Sequence, residues 1–375
     1  MRIFRYFAAV FVMLLAAASL PASARPALVI DADSGEVLHS HEATRLWYPA
    51  SVTKVMTTYV ALSAVRGGKI SMNSALTVTQ RALNEPPSKT GMPVGSSLTL
   101  EAALRILMVK SANDTAVTVA EGVGGSVEGF VTEMNRTAAR LGMRDTHYAN
   151  PNGLPDAGQI TTARDQAILA RAIYDDFPSY RYLFSLESVK IGKRTVRNHN
   201  SLIGRYPGAD GLKTGFICDS GFNLVASARR DGRHLIAVVF GAENVSERED
   251  VVVSLLEAGF NTGRAGIFGS RRANVESLPS TRLQPFVMRD SVCGPRKQRQ
   301  PVPAQIASYG VSSRVASATI KTDPSRSTTA GTSGPGLLAA LASRGSDQPV
   351  AAGDTDDDPV SIARVPLPTP NPRRR

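Results

Sequence analysis

The sequence predicts an α+β fold, an α/β sandwich in which an antiparallel sheet is flanked by helices and faces an all-α lobe. Three observations predict it. Near the N-terminus, Ala27-Leu28-Val29-Ile30-Asp31 and Glu36-Val37-Leu38-His39 are short apolar runs joined by Asp33-Ser34-Gly35, and they read as paired strands. Late in the same unit, residues 223–228 and 234–240 are apolar runs on either side of Asp231-Gly232, a dipeptide suited to a tight hairpin turn. Between these pairs apolar residues recur at steps of three and four, the period of helices. Strands therefore come from both ends of one unit, with a mostly helical insertion between them. A functional site is expected in the cleft where the two parts meet.

In chain order the helical stretches are 51–64, 100–110, 115–121, 127–141 and 162–174; Leu104, Leu107 and Met108 share one face of the second. A further strand is expected over 211–216. The last helix runs over 247–258 and stops at Gly259, a suitable C-cap. No internal repeat is present.

The chain of 375 residues is 42% hydrophobic, enough for one large domain and a tail. Met1-Arg2-Ile3-Phe4-Arg5 is basic, an apolar run follows to Leu20, and Ala22-Ser23-Ala24 has small residues at the cleavage spacing. Residues 1–24 therefore read as a secretory signal peptide, cut after Ala24. The run is short of the roughly 20 apolar residues a membrane span requires, so no transmembrane anchor is expected after cleavage. Residues 25–265 form the globular domain. From 266 to 375 Pro, Ser, Thr, Gly, Ala and Arg dominate and periodicity vanishes, which predicts a basic, mostly disordered tail.

The net charge of +11 sits largely in that tail, at Arg271, Arg272, Arg296, Lys297, Arg299 and Arg373-Arg374-Arg375. Such a tail would meet anionic wall polymer or a membrane surface, or stay solvated. Nucleic acid is excluded as a partner, because aromatic and basic residues do not interleave. Export permits a disulfide. Cys218 and Cys293 either pair or remain as thiols, with two thiols the preferred reading. The five histidines show no metal-ligand spacing, so no metal and no cofactor are expected.

Three motifs carry chemistry. In Ser51-Val52-Thr53-Lys54 the hydroxyl and the amine are three residues apart at a helix start, on one face. A serine needs a base to attack a carbonyl. Burial and the cation Lys213 would lower the Lys54 pKa enough for its free amine to serve. In Ser111-Ala112-Asn113, Ser111 would relay a proton and Asn113 would hold a substrate amide. In Lys213-Thr214-Gly215 the first two residues would bind a carboxylate from a strand edge, and Gly215 would leave room for substrate backbone. Singly each motif is weak. Ser71-Met72-Asn73 and Lys89-Thr90-Gly91 repeat two of them in loop-like stretches and are rejected, the first because it lies only a short way from Lys54 and the second because it precedes the Ser-x-Asn motif.

The ordered set resembles the serine D-alanyl-D-alanine carboxypeptidases of peptidase family S11, the low-molecular-mass penicillin-binding proteins. The resemblance covers roughly 26–262. It includes Tyr48-Pro49-Ala50, Lys110-Ser111-Ala112-Asn113-Asp114 and His147-Tyr148-Ala149-Asn150-Pro151-Asn152-Gly153-Leu154. It also includes Asn198-His199-Asn200-Ser201-Leu202, Gly208-Ala209-Asp210-Gly211-Leu212 and Gly221-Phe222-Asn223-Leu224-Val225.

This resemblance implies a DD-peptidase-like fold and an exported enzyme, periplasmic or wall-associated. Ser51 would attack the penultimate D-Ala of peptidoglycan stem peptides, with Lys54 as base and Ser111 as proton shuttle. The N–H groups of Ser51 and Phe216 would form the oxyanion hole. Lys213, Thr214 and Arg248 would bind the terminal carboxylate, and His147 and Asn150 would organise a loop. β-Lactam antibiotics would acylate Ser51. Many members add a β-rich domain and an amphipathic C-terminal anchor; the tail shows neither pattern, so membrane attachment is not expected. The alternatives are a DD-endopeptidase cutting cross-links with the same residues, a β-lactamase, and a wall-binding protein with an inactive site. The Glu-x-x-Leu-Asn pattern of class A β-lactamases is absent, Gln80 standing where Glu belongs before Leu83-Asn84.

Overall fold

The computed structural model describes residues 25–263 and 272–295. β1 (Ala27–Asp31) and β2 (Val37–His41) form the N-terminal pair. Then come α1 (Lys54–Arg66), β3 (Ala75–Thr77), α2 (Gln80–Leu83), β4 (Ser97–Thr99), α3 (Leu100–Val109), α4 (Asn113–Gly124), α5 (Val127–Arg140) and α6 (Ala163–Asp176). β5 (Ser188–Ile191) and β6 (Arg194–Arg197) make a separate hairpin. β7 (Ala209–Ile217), β8 (Gly221–Arg230) and β9 (Arg233–Ala242) follow, then α7 (Val245–Asn261) and the short α8 (Arg289–Val292).

Local chemistry sets the helix starts. Thr99, Ser126, Thr162 and Asn244 each accept a hydrogen bond from the backbone N–H three residues on, capping α3, α5, α6 and α7. At the β8–β9 turn Asp231 and Gly232 both have positive φ, 50° and 69°, as a two-residue hairpin of this hand requires.

The main sheet has the order β2-β1-β9-β8-β7, every neighbour antiparallel. Alternation along the strands builds a core on each face. Leu28, Ile30, Ile236, Val238 and Phe240 pack toward the helical insertion. Ala27, Val29, Leu235, Ala237 and Val239 pack against Val252, Leu255 and Leu256 of α7. β7, which carries Lys213-Thr214-Gly215, closes the order at one end of this sheet.

The boundary at residue 265 is corrected by residues 272–295, which pack on the domain. Val37 N–H donates to Ala273 O, Arg164 donates to Leu278 O, Leu46 N–H to Leu283 O and Met288 N–H to Asp219 O. Val275 and Met288 are fully buried. Arg289 makes two hydrogen bonds to Asp219, of 2.8 and 2.9 Å. Apolar residues are too unevenly spaced here to give a period; main-chain and side-chain bonds, with Val275, Met288 and Val292 in the core, hold the segment. The expectation of free thiols is also corrected: Cys218 and Cys293 form a disulfide. The signal peptide and the tail beyond 295 lie outside the described residues.

The bond links residues 75 apart in sequence, so it removes substantial chain entropy from the unfolded state. Cys218→Ser/Cys293→Ser is expected to lose about 2–4 kcal/mol of stability. Thermal melts with and without reductant check this; a reductant-insensitive melt would show that the segment holds itself.

Candidate active site

Ser51 lies in a 3-10 turn, Ala50–Thr53, and Lys54 is the first residue of α1. The turn is fixed from below by the loop of residues 147–160. Thr57 Oγ1 donates to Pro151 O (2.5 Å), and Gln159 Nε2 donates to Thr53 Oγ1 (2.8 Å). Asn223 Nδ2 of β8 donates to Tyr48 O (2.9 Å).

Lys54 is fully buried. Its Nζ lies 2.9 Å from Ser51 Oγ, 2.8 Å from Asn113 Oδ1 and 2.6 Å from Asn152 O. An ammonium fills all three contacts as donor. A free amine donates to Asn113 and Asn152 and turns its lone pair to the Ser51 hydroxyl. Burial, reinforced by the Lys213 charge, holds Lys54 well below the usual lysine range, against the opposing pull of Glu85 and Asp114. The site thus favours the state that can take a proton from Ser51.

Ser111 stands in the break between α3 and α4 at φ 63°. Its hydroxyl is buried and has no hydrogen-bond partner among the described residues. α4 opens at Asn113, two residues earlier than expected. Asn113 was expected to hold a substrate amide, but the structure gives it a prior task. Its Oδ1 accepts from Lys54 and its Nδ2 donates to Pro86 O (2.9 Å), leaving one N–H uncommitted.

β7 runs beside the turn. A Cβ at Gly215 would lie 2.8 Å from Pro49 O and 3.1 Å from Ser51 N, so only glycine lets this strand approach the Ser51 amide. The next residue, Phe216, is 42% exposed, with its ring against Phe222.

Lys213 and Thr214 are buried, and Lys213 Nζ donates to Thr214 O (3.0 Å). Burial and the neighbouring Arg248 bring Lys213 down to about 7. Arg248, on α7, is turned inward beside Lys213. It is 4% exposed, its Nη2 makes long contacts to Glu249 (3.3 Å) and His199 O (3.5 Å), and its Nε has no partner among the described residues. His199 is pushed down to about 4 by burial, then by Lys213, Lys110, Arg248 and Lys54. Lys213, Lys110 and Arg248 together can seat a carboxylate.

Such a seat beside a serine paired with a buried lysine matches the three-motif reading, and comparison with known proteins decides the family. A family model described as D-alanyl-D-alanine carboxypeptidase, peptidase S11, matches residues 14–244. The chain belongs to this family. It is 34% identical over 242 residues to D-alanyl-D-alanine carboxypeptidase DacF of Bacillus subtilis, covering 64% of this chain but 62% of that one. Its fold matches penicillin binding protein 6B from Escherichia coli with a TM-score of 0.62 at 33% identity, covering 67% and 82% of the two chains. Penicillin-Binding Protein D2 from Listeria monocytogenes, in its cefotaxime-bound form, matches with a TM-score of 0.58 at 28% identity, covering 64% and 97%.

Two stretches set aside as decoys keep non-chemical roles in this S11 chain. Asp114 Oδ2 accepts from Thr90 N–H (2.7 Å), Thr90 Oγ1 (2.6 Å) and Gly91 N–H (2.9 Å), so Lys89-Thr90-Gly91 braces the start of α4. Ser71-Met72-Asn73 is a turn ahead of β3, with Asn73 N–H donating to Ser71 Oγ (3.2 Å). His147 and Asn150 organise their loop: His147 Nδ1 pairs with Gly158 O (2.8 Å), and Asn150 Oδ1 accepts from Gly153 N–H (2.7 Å).

Sequence reasoning gave no role to Asn152, Glu85 or His199. Asn152 acts through its carbonyl, which any residue supplies, and Glu85 reaches it only through the fold. His199 stood within a recognised stretch, yet only the tertiary cluster of cations marks it out.

Proposed function

We propose that this chain is a serine D-Ala-D-Ala carboxypeptidase that removes the terminal D-alanine from peptidoglycan pentapeptide stems. Membership of the S11 family supports the reaction class. The observation that carries the reading is the 2.9 Å contact of Ser51 Oγ with a buried, pKa-depressed Lys54, beside the cation seat of Lys213 and Arg248.

The free amine of Lys54 takes the Ser51 proton as Oγ bonds to the carbonyl carbon of the penultimate D-Ala. The developing oxyanion lies between the N–H groups of Ser51 and Phe216. The Ser111 hydroxyl, which has no partner among the described residues to give up, passes the proton from Lys54 to the leaving nitrogen as the C–N bond breaks. D-Alanine departs, water attacks the ester, and its proton returns through Lys54. The terminal carboxylate sits against Lys213, Thr214 and Arg248. A β-lactam presents an amide and a carboxylate in the same relation, and the cefotaxime-bound Listeria relative supports acylation of Ser51 by such compounds. Residues 1–24 support export to the periplasm or wall.

The test is D-alanine release from a pentapeptide ending in D-Ala-D-Ala, run beside cleavage of a cross-linked dimer. Preferred release from the monomer supports the carboxypeptidase; cleavage of the dimer alone would move the reading to an endopeptidase.

A pH dependence follows. kcat/KM should rise as Lys54 loses its proton and fall as Lys213 loses its own. Arg248 pushes Lys213 down, so Arg248→Gln should move the alkaline limb to higher pH. KM for the anionic substrate should rise about tenfold or more. An alkaline limb unmoved by this change would assign it to another group.

A further inference from the structure

Both asparagines whose oxygens accept from Lys54 are tied to one short segment, residues 85–88. On one side Asn113 Nδ2 donates to Pro86 O (2.9 Å), and Asn113 N–H donates to Ser88 O (2.7 Å). On the other, Asn152 Nδ2 donates to the Glu85 carboxylate (2.8 Å), while Asn152 Oδ1 accepts from Leu154 N–H (3.0 Å). Asn152 O is the atom 2.6 Å from Lys54 Nζ. Just beyond the segment Asp114 holds Thr90 and Gly91, and Lys89 Nζ donates back to Leu83 O (3.0 Å).

We propose that Glu85 is a positioning residue for the Ser51–Lys54 pair. Its carboxylate fixes the Asn152 side chain, and with it the carbonyl that takes one Lys54 proton, and it places a negative charge on that flank of the amine. The proposal rests on the acyl-enzyme reading above. A neutral glutamine could hold Asn152 equally well, so the charge is a separate contribution.

The groups that face Lys54 are Glu85 and Asp114, which favour its ammonium, and Lys213, which opposes it. Those that face Glu85 are Arg81 and Lys54, which stabilise its carboxylate, and Asp114, which does not; burial raises it most. Removing the Glu85 charge therefore lowers the pKa of Lys54, and the acid limb of serine acylation moves to lower pH.

The experiment is acylation of the full chain by a fluorescent penicillin, followed in time across acidic and neutral pH, for the parent, Glu85→Gln and Glu85→Ala. Glu85→Gln keeps an acceptor for Asn152. Its plateau rate should stay within about threefold of the parent, with the acid limb lower by about half a pH unit. Glu85→Ala frees Asn152, and its plateau should fall about 10- to 100-fold with little change in melting temperature. A Glu85→Gln limb that coincides with the parent's overturns the proposal, as does a Glu85→Ala plateau at the parental rate. Were Glu85→Ala not to fold, the Glu85→Gln limb decides. A parent that is never acylated would instead defeat the acyl-enzyme reading itself.

Discussion

Ser51→Ala should lose D-alanine release by roughly four to six orders of magnitude, because nucleophile and base act as a unit. The fold should survive. Among the described residues Ser51 Oγ bonds to Lys54 alone, and Lys54 keeps Asn113 Oδ1 and Asn152 O as acceptors when the hydroxyl is gone. The melting temperature should therefore shift by only a few degrees, as for a partly exposed residue outside the core. Continuous release assays beside thermal melts check both halves. A variant keeping more than about a hundredth of parental turnover would place the nucleophile elsewhere.

The second large effect is steric. Gly153 has φ +84°, and a Cβ there would stand 1.8 Å from Ala50 O and 2.4 Å from Ala50 C. Ala50, itself at φ 48°, precedes the nucleophile, and Asn152 precedes Gly153, so any displacement moves both sides of the Ser51–Lys54 contact. Gly153→Ala is expected to cost about 3 kcal/mol or more in stability and about 100-fold in turnover. Gly142→Ala is the control: φ is +78° there, but a Cβ meets nothing within 4 Å. It should lose about 1–2 kcal/mol from backbone conformation, with turnover intact. Equal losses in the two variants would remove the steric account of Gly153.

The parts of the fold that the residues announced are those with long, one-signal patterns. β8 and β9 are nearly unbroken apolar runs joined by Asp-Gly, and α3 and α5 have clear helical stripes; each formed where expected, within a few residues. β3, β4, β5 and β6 were missed because three or four residues, half of them polar, give no period. Residues 272–295 resemble a disordered tail in composition, and their order comes from long-range bonds, the Cys218–Cys293 link and a few core side chains such as Val275 and Met288, none of which composition reports.

The same division holds at the site. Ser51 and Lys54 were legible because their spacing places two reactive side chains on one helical face, and Lys213 because its strand sits between glycines and apolar residues. Arg248 was recognised only by resemblance, since nothing in the order of α7 says that it points inward. Asn152 was invisible because it contributes a carbonyl. Glu85 carries no motif, and its carboxylate meets Asn152 only through the fold.

The account stands or falls on the acyl-enzyme. The most direct measurement is mass spectrometry of the protein after brief exposure to penicillin, followed by peptide mapping. A single penicilloyl adduct on the peptide carrying Ser51, absent from Ser51→Ala, is the predicted result. An adduct on another residue, or D-alanine release by a protein that never carries an acyl group, would contradict it.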